Sequence, residues 1–197
     1  MTEATDREVQ PATEGAGPLL QRDYWAVIAG SRLGPRQLIE LVAAKFPDFP
    51  PPHLVEFRLS EGCEGPLEVG DELDIDIRLA GSCAVRVVHR DANSLTLGTL
   101  EGHPEAGRIT FGAYRNERGD VVFHIRSRAR SSGLTKYLEF LAGGDPMQTN
   151  TWVDFINAVA MTVGSGIVDG IRVEQNQVDD EDDDADPCMP TFVAQGD

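Results

Sequence analysis

The sequence predicts an α+β fold, a curved antiparallel β-sheet gripping a long C-terminal α-helix. Three observations carry this expectation. First, apolar and polar residues alternate in short runs through the middle of the chain. In ELDIDIRLAG, Leu73, Ile75, Ile77 and Leu79 face one way and Asp74, Asp76 and Arg78 the other. Period two with one wet face marks an antiparallel sheet. Second, the runs follow one another too closely for the crossovers that parallel strands need. Third, Trp152, Phe155, Ile156, Val159, Ala160 and Val163 recur at helical spacing and make a broad apolar face. A sheet closing on that helix is the most economical way to bury it.

The elements follow in order. Residues 1–20 are rich in Thr, Glu, Ala, Pro and Gly without periodicity, and are expected to be disordered. DYWAVIAG reads as a first strand that Gly30 ends. GPRQLIELVAAKFP places Pro35 at the first position of a helix, with Leu38, Leu41, Val42 and Phe46 at helical spacing before Pro47 stops it. PDFPPPH is a stiff connector. LVEFRLS, ELDIDIRLAG, AVRVVH, SLTLGTL, RITFGAY and VVFHIRSRAR then read as strands, with turn signals at Asp91-Ala92-Asn93 and Gly119. Leu134, Tyr137, Leu138 and Leu141 suggest a short amphipathic helix, broken at Gly143-Gly144. Asp145 and Pro146 supply an N-cap and first helical residue for the final helix, which Gly164 ends.

With 197 residues, the chain suits one domain plus tails. The expected division is a disordered tail over 1–20, a single domain over 21–172 and an acidic disordered tail over 173–197. The net charge is −16, and nine acidic residues without a Lys or Arg lie between Glu174 and Asp197. The remainder is only mildly acidic, which argues against nucleic acid as a partner, because phosphate contacts need surplus cations. The acidic run lacks the pattern of a calcium loop. Cys63, Cys83 and Cys188 are odd in number and far apart, so neither a disulfide framework nor a zinc site is expected, and a reducing cytosol fits best. His53, His89, His103 and His124 have no metal-ligand spacing, and no glycine motif for a nucleotide is present. No metal and no cofactor is expected. Nothing resembles a signal peptide or a membrane span, so a cytoplasmic location is expected.

Two stretches carry possible chemistry. GTLEGHPEAGRITF combines His103, Glu101, Glu105 and Arg108 with the punctuation of a loop between strands. It reads as a catalytic set with His103 as general base and Glu101 or Glu105 orienting it, as a connection in which Glu105 pairs with Arg108, or as a pocket rim. In HIRSRAR, His124, Arg126, Arg128 and Arg130 share one strand face, while Phe123, Ile125, Ser127 and Ala129 share the other. The basic stripe, ~20 Å long at ~3.3 Å per residue, is expected to pair with the Asp74/Asp76 face of a neighbouring strand. An anion surface and a dock for the acidic run Asp179–Asp186 are the alternatives.

The run from Arg86 to Ala129 resembles the DUF1990 family, also called UPF0548. The matching residues are Arg86-Val87-Val88, Gly98-Thr99-Leu100, Gly102-His103-Pro104-Glu105, Gly107 and Phe111, with Gln148 in the final helix and the resemblance reaching about Val163. The chain departs from the pattern at Arg108-Ile109-Thr110, where acidic residues are usual, and at Arg130-Ser131-Ser132, where Ser-Arg-Pro is usual. The element order is similar to START and Bet v 1 type helix-grip (SRPBCC) proteins. That resemblance implies a small hydrophobic or amphipathic ligand held between sheet and helix. The residues it places at the pocket are Trp25, Phe57, Leu97, His103, Phe111, Phe123, Trp152 and Phe155, with His103 and Arg108 at the mouth. A hydrolase- or cyclase-like enzyme using His103 and Glu105 in the same space is one alternative. An interaction module using the acidic tail and the basic strand is another. The sequence leaves the oligomeric state open.

Overall fold

The computed structural model describes residues 7–60, 65–78, 81–133 and 144–179. The short helix expected around Leu134–Leu141 and the acidic run from Asp180 onward lie outside these described residues.

Eight strands form one antiparallel sheet: β1 (Ala16–Ile28), β2 (Val55–Leu59), β3 (Glu72–Ile77), β4 (Gly81–Arg90), β5 (Ser94–Thr99), β6 (Glu105–Arg115), β7 (Val121–Ser131) and β8 (Ile167–Val178). They lie side by side in the order β2-β3-β4-β5-β6-β7-β1-β8, so β2 and β8 are the edges. Helix α1 (Pro35–Lys45) follows β1, and α2 (Gly144–Val163) lies between β7 and β8. The architecture is the helix-grip α+β fold that the alternation and the final apolar helix predict.

Each element follows from its local sequence. Pro35 occupies the start of α1, and the Gln37 side chain accepts a hydrogen bond from the N–H of Gly34 at 3.1 Å. The buried face of α1 is Leu38, Ile39, Val42 and Ala43, rotated slightly from the expected one because Ile39 takes the place of Leu41. In the β6–β7 hairpin, Asn116 Oδ1 accepts hydrogen bonds from the N–H groups of Arg118 and Asp120, and Gly119 takes the positive φ of 85° that the turn requires. Trp152, Phe155, Ile156, Val159, Ala160 and Val163 of α2 are all buried against the sheet. The helix ends against β1. A Cβ at Gly164 would stand 2.5 Å from the carbonyl oxygen of Ala29, so no larger residue fits that approach.

The folded region is wider than the sequence suggests at both ends. Residues expected in the disordered N-terminal tail pack onto the outer surface of the sheet. Gln10 N–H donates to the carbonyl of Thr99 at 2.7 Å, Arg7 contacts Glu72 at 2.8 Å, and Ala12 is buried. β1 starts at Ala16 rather than near Asp23. At the other end, the strand β8 was not expected, and it pairs with β1 through Leu19↔Val178, beyond the anticipated limit at Arg172. Its sequence IVDGIRVEQNQV carries no sustained apolar face because most of the strand is exposed on both sides. Strand pairing here rests on the backbone ladder, which leaves no periodic trace in the side chains.

Candidate functional site

Three places carry the chemistry: the loop between β5 and β6, the concave side of the sheet under α2, and the outer side of β1 and β7.

The loop Leu100–Pro104 is a tight connection. His103 N–H donates to the carbonyl of Leu100 at 3.0 Å, and Gly102 adopts a φ of 92° that a larger residue would resist. The ring of His103 turns back on its own chain, where Nδ1 accepts a hydrogen bond from the N–H of Glu105 at 3.0 Å. Thr99 fastens the base: its Oγ1 accepts from the N–H of Gly107 at 2.9 Å. The N-terminal segment closes over the loop, with the N–H of Glu101 donating to the carbonyl of Glu8 at 3.0 Å. Glu101 itself is exposed. Glu105 does not pair with Arg108. Residues three apart on a strand point to opposite faces, and the unbroken β6–β7 register places Glu105 inward and Arg108 outward. Glu105 meets Arg22 instead, at 3.4 Å between Oε1 and Nη1.

On the concave side, the expected pocket wall is largely a packed core. Phe46 and Phe111 have ring centroids 5.0 Å apart, Phe111 and Phe155 5.2 Å, and Phe46 and Phe57 5.3 Å. Trp152 sits 5.6 Å from Phe111, and Phe123 stacks on Phe155 at 6.2 Å. Thus Phe57, Phe111, Phe123, Trp152 and Phe155 are brought together, with Leu97 buried in the same cluster. Trp25 and Arg108 are not among them. Trp25 alternates with the inward Tyr24 and Ala26, and its ring lies on the outer side, 5.5 Å from the ring of His124.

One row beyond the aromatic cluster, the concave face changes character. The register links Ile109, Ser127, Arg22 and Gln175 across β6, β7, β1 and β8. Arg22 has the strand parity of the core residues Tyr24 and Ala26, and Ser127 that of Phe123 and Ile125. Both side chains therefore point under the helix. Arg22 is 1% exposed and Ser127 3%. Arg22 Nε donates to Gln175 Oε1 at 3.0 Å. Among the described residues, Ser127 Oγ and Trp152 Nε1 are buried with no hydrogen-bond partner. The next row carries small residues at Gly107 and Ala129, opposite Leu20. Sequence reasoning places Ser127 on the correct face but assigns it no role, and it misses Arg22 because the first strand is read from Asp23, whereas β1 begins at Ala16.

On the outer side, the basic stripe of β7 does not meet Asp74 and Asp76. β3 is separated from β7 by three strands, and Asp74 contacts Arg7 at 3.3 Å instead. The stripe lies beside β1. His124 Nε2 stands 2.6 Å from Asp23 Oδ1, and Arg126 Nε donates to the same oxygen at 2.6 Å. Gln21 bridges onward, donating to Asp23 Oδ2 and accepting from Arg128 Nε, both at 2.7 Å. Arg130 donates to the carbonyl of Gly17 at 3.0 Å. Burial pushes His124 below its usual value, against the pull of Asp23. Burial alone would raise Asp23, but the hydrogen bonds from His124 and Arg126 hold it below the ordinary carboxylate range.

The geometry can now be set beside known proteins. Residues 61–143 match DUF1990, a domain of unknown function. The DUF1990 match begins earlier than the resemblance read from the sequence and stops before α2. Among solved structures, a norcoclaurine synthase point mutant from Thalictrum, in complex with a transition-state analogue, has a TM-score of 0.53 at 14% identity, over 75% of this chain and 96% of that one. The di-domain aromatase/cyclase StfQ of the steffimycin biosynthetic pathway gives 0.51 at 13% identity over 74% of this chain, which spans about half (51%) of StfQ. The protein XoxI from Bacillus cereus gives 0.51 at 12% identity, over 73% of this chain and 94% of that one. At such identities these structures establish the helix-grip fold. No curated protein matches the chain in sequence. No helix among the described residues is long and apolar enough to cross a membrane.

Proposed function

We propose that this protein binds a small hydrophobic or amphipathic ligand between the sheet and α2. The observation that carries this reading is the change along the concave face: an aromatic cluster that packs on itself, then a row with buried Arg22 and Ser127, then small residues at Gly107 and Ala129. Ligand sites are apolar walls with a few placed polar groups, and the boundary between these zones has that composition. The fold accommodates small molecules elsewhere, as the norcoclaurine synthase complex illustrates. The proposed contacts are Phe111, Trp152 and Leu97 on the apolar side, and Arg22 and Ser127 on the polar side. Phe57, Phe123 and Phe155 act as the packed support behind them.

The arrangement supports binding better than catalysis. His103 Nδ1 is engaged by the backbone of its own loop, so that nitrogen is not available as a base. Native mass spectrometry of freshly purified protein tests the proposal. A small molecule that co-purifies and is released on denaturation is the expected result. Protein that emerges ligand-free and binds no hydrophobic probe would overturn it.

A further inference from the structure

We propose that strand β8 joins two copies of this chain, pairing antiparallel with itself about Val173 to make one continuous sheet. The inference does not rest on the ligand-binding reading above.

The two edges of the sheet are unlike. β2 is five residues long, and its Arg58 lies 3.6 Å from both Glu56 and Asp76. Short strands and edge charges are how native sheets keep a further strand from adding on. β8 runs for twelve residues and is exposed along most of its length. Among the described residues it has β1 on one side and no strand on the other. Asp169 and Gly170, with φ of 58° and 85°, mark the place where its register against β1 shifts. Beyond that shift the ladder is regular from Arg172 to Val178. A regular edge directs backbone N–H and C=O groups outward at alternate residues, a template for another strand. Val173, 46% exposed, stands near the start of this regular run as an unburied apolar side chain.

The side chains select the occupant. Two identical antiparallel strands in one sheet are related by a two-fold axis perpendicular to it, so the residue on the axis fixes the whole register. With Val173 on the axis, Arg172 of each copy stands opposite Glu174 of the other, giving two pairs of opposite charge on the outer face. Moving the axis by one residue sets Arg172 against Arg172 or Glu174 against Glu174, and like charges directly opposite are destabilising. No other register of this strand brings Arg172 opposite Glu174. Within the chain, Glu174 already lies opposite Asp23 in the β1 ladder, so a cation on its open side relieves a like-charge pair. On the concave face the same register sets the two Val173 side chains against each other and takes both from water.

Sedimentation equilibrium of the full chain, from micromolar to millimolar protein, tests the proposal. The net charge of −16 opposes association, so the buffer holds about 0.15 M salt, where charges more than ~8 Å apart are largely screened. The expected result is a mass that rises with concentration from 21.4 kDa toward twice that value. R172E and E174R each turn both charge pairs into like charges and should weaken the dimer roughly tenfold. The double variant R172E/E174R exchanges the two signs and should restore the wild-type constant. V173K sets two like charges on the axis and should also weaken the dimer, without touching the polar groups of the outer face. Circular dichroism unchanged from the wild type separates a lost dimer from a lost fold. A chain that stays monomeric at every concentration overturns the proposal, whether the edge is bare or taken by residues beyond Asp179. A dimer indifferent to V173K and to both charge reversals overturns it too, by placing the interface elsewhere. Single reversals that weaken the dimer without recovery in the double variant overturn the pairing about Val173.

Discussion

Strands β1 and β7 carry buried polar groups on both faces, and the two faces treat them differently. Outside, Asp23, His124, Arg126, Gln21 and Arg128 form a chain of contacts in which each named group meets another at 2.6–2.7 Å. Inside, on alternate residues of the same strands, Arg22 reaches Gln175 and Glu105, while Ser127 Oγ meets nothing among the described residues. A closed network is what structure requires, since an unmet buried polar atom costs ~1–3 kcal/mol. The difference separates a closed outer chain of contacts from an inner row that keeps a buried hydroxyl unmet.

The comparison can be tested from its strongest element downward. The inner aromatic cluster should dominate stability. Phe155, 0% exposed and in ring contact with Phe46, Phe111 and Phe123, should cost about 3–5 kcal/mol on truncation in F155A, read by urea denaturation. The outer network comes next. D23A leaves His124 and Arg126 without their shared carboxylate and should cost about 3 kcal/mol, where D23N should cost less because it keeps one acceptor. If D23A were silent, the outer cluster would not be the structural one.

Truncation after Arg172 removes the half of β8 that pairs with Leu19–Tyr24 and takes away Gln175. It should destabilise by about 2 kcal/mol from lost ladder bonds, whereas truncation after Asp179 should have little effect. Equal stability of the two products would show that the strand contributes nothing. The smallest effect is a pH slope. The folded pKa of His124 lies below its unfolded value near 6.5, so the unfolded chain takes up protons first. Stability present above that value is lost as pH falls through the folded one, and Asp23, also depressed, adds a second loss below about 3.8. The groups facing His124 are Asp23, Arg126, Tyr114 and Glu174. Denaturation midpoints from pH 7.5 to 5 should decline for the wild type and flatten in H124N.

Much of the fold is legible in the residues. The alternation in β3 and the apolar stripe of α2 each bury one side, and that is the condition under which periodicity shows. β8 was hidden because an exposed edge strand has no side to bury. The aromatic core of the site was legible for the same reason as α2, through Phe111, Trp152 and Phe155. Its polar end was not. Arg22 and Ser127 come side by side only because β1, distant in sequence, inserts between β7 and β8. The partner of the basic stripe was misread on similar grounds, because composition shows that carboxylates exist but not which strand stands beside which. Trp25 has the chemistry of a core residue, but its parity with Asp23 puts it outside.

The DUF1990 match ends at residue 143 and begins at residue 61. Arg22, Trp152 and Gln175 all stand outside that window, while Glu105, Ile109, Phe111 and Ser127 stand within it. The shared segment therefore supplies a frame, and the flanking strands and helix supply half of what would touch a guest. Two chains alike from residue 61 to 143 could therefore differ at Arg22, Trp152 and Gln175 and present different concave faces to the helix.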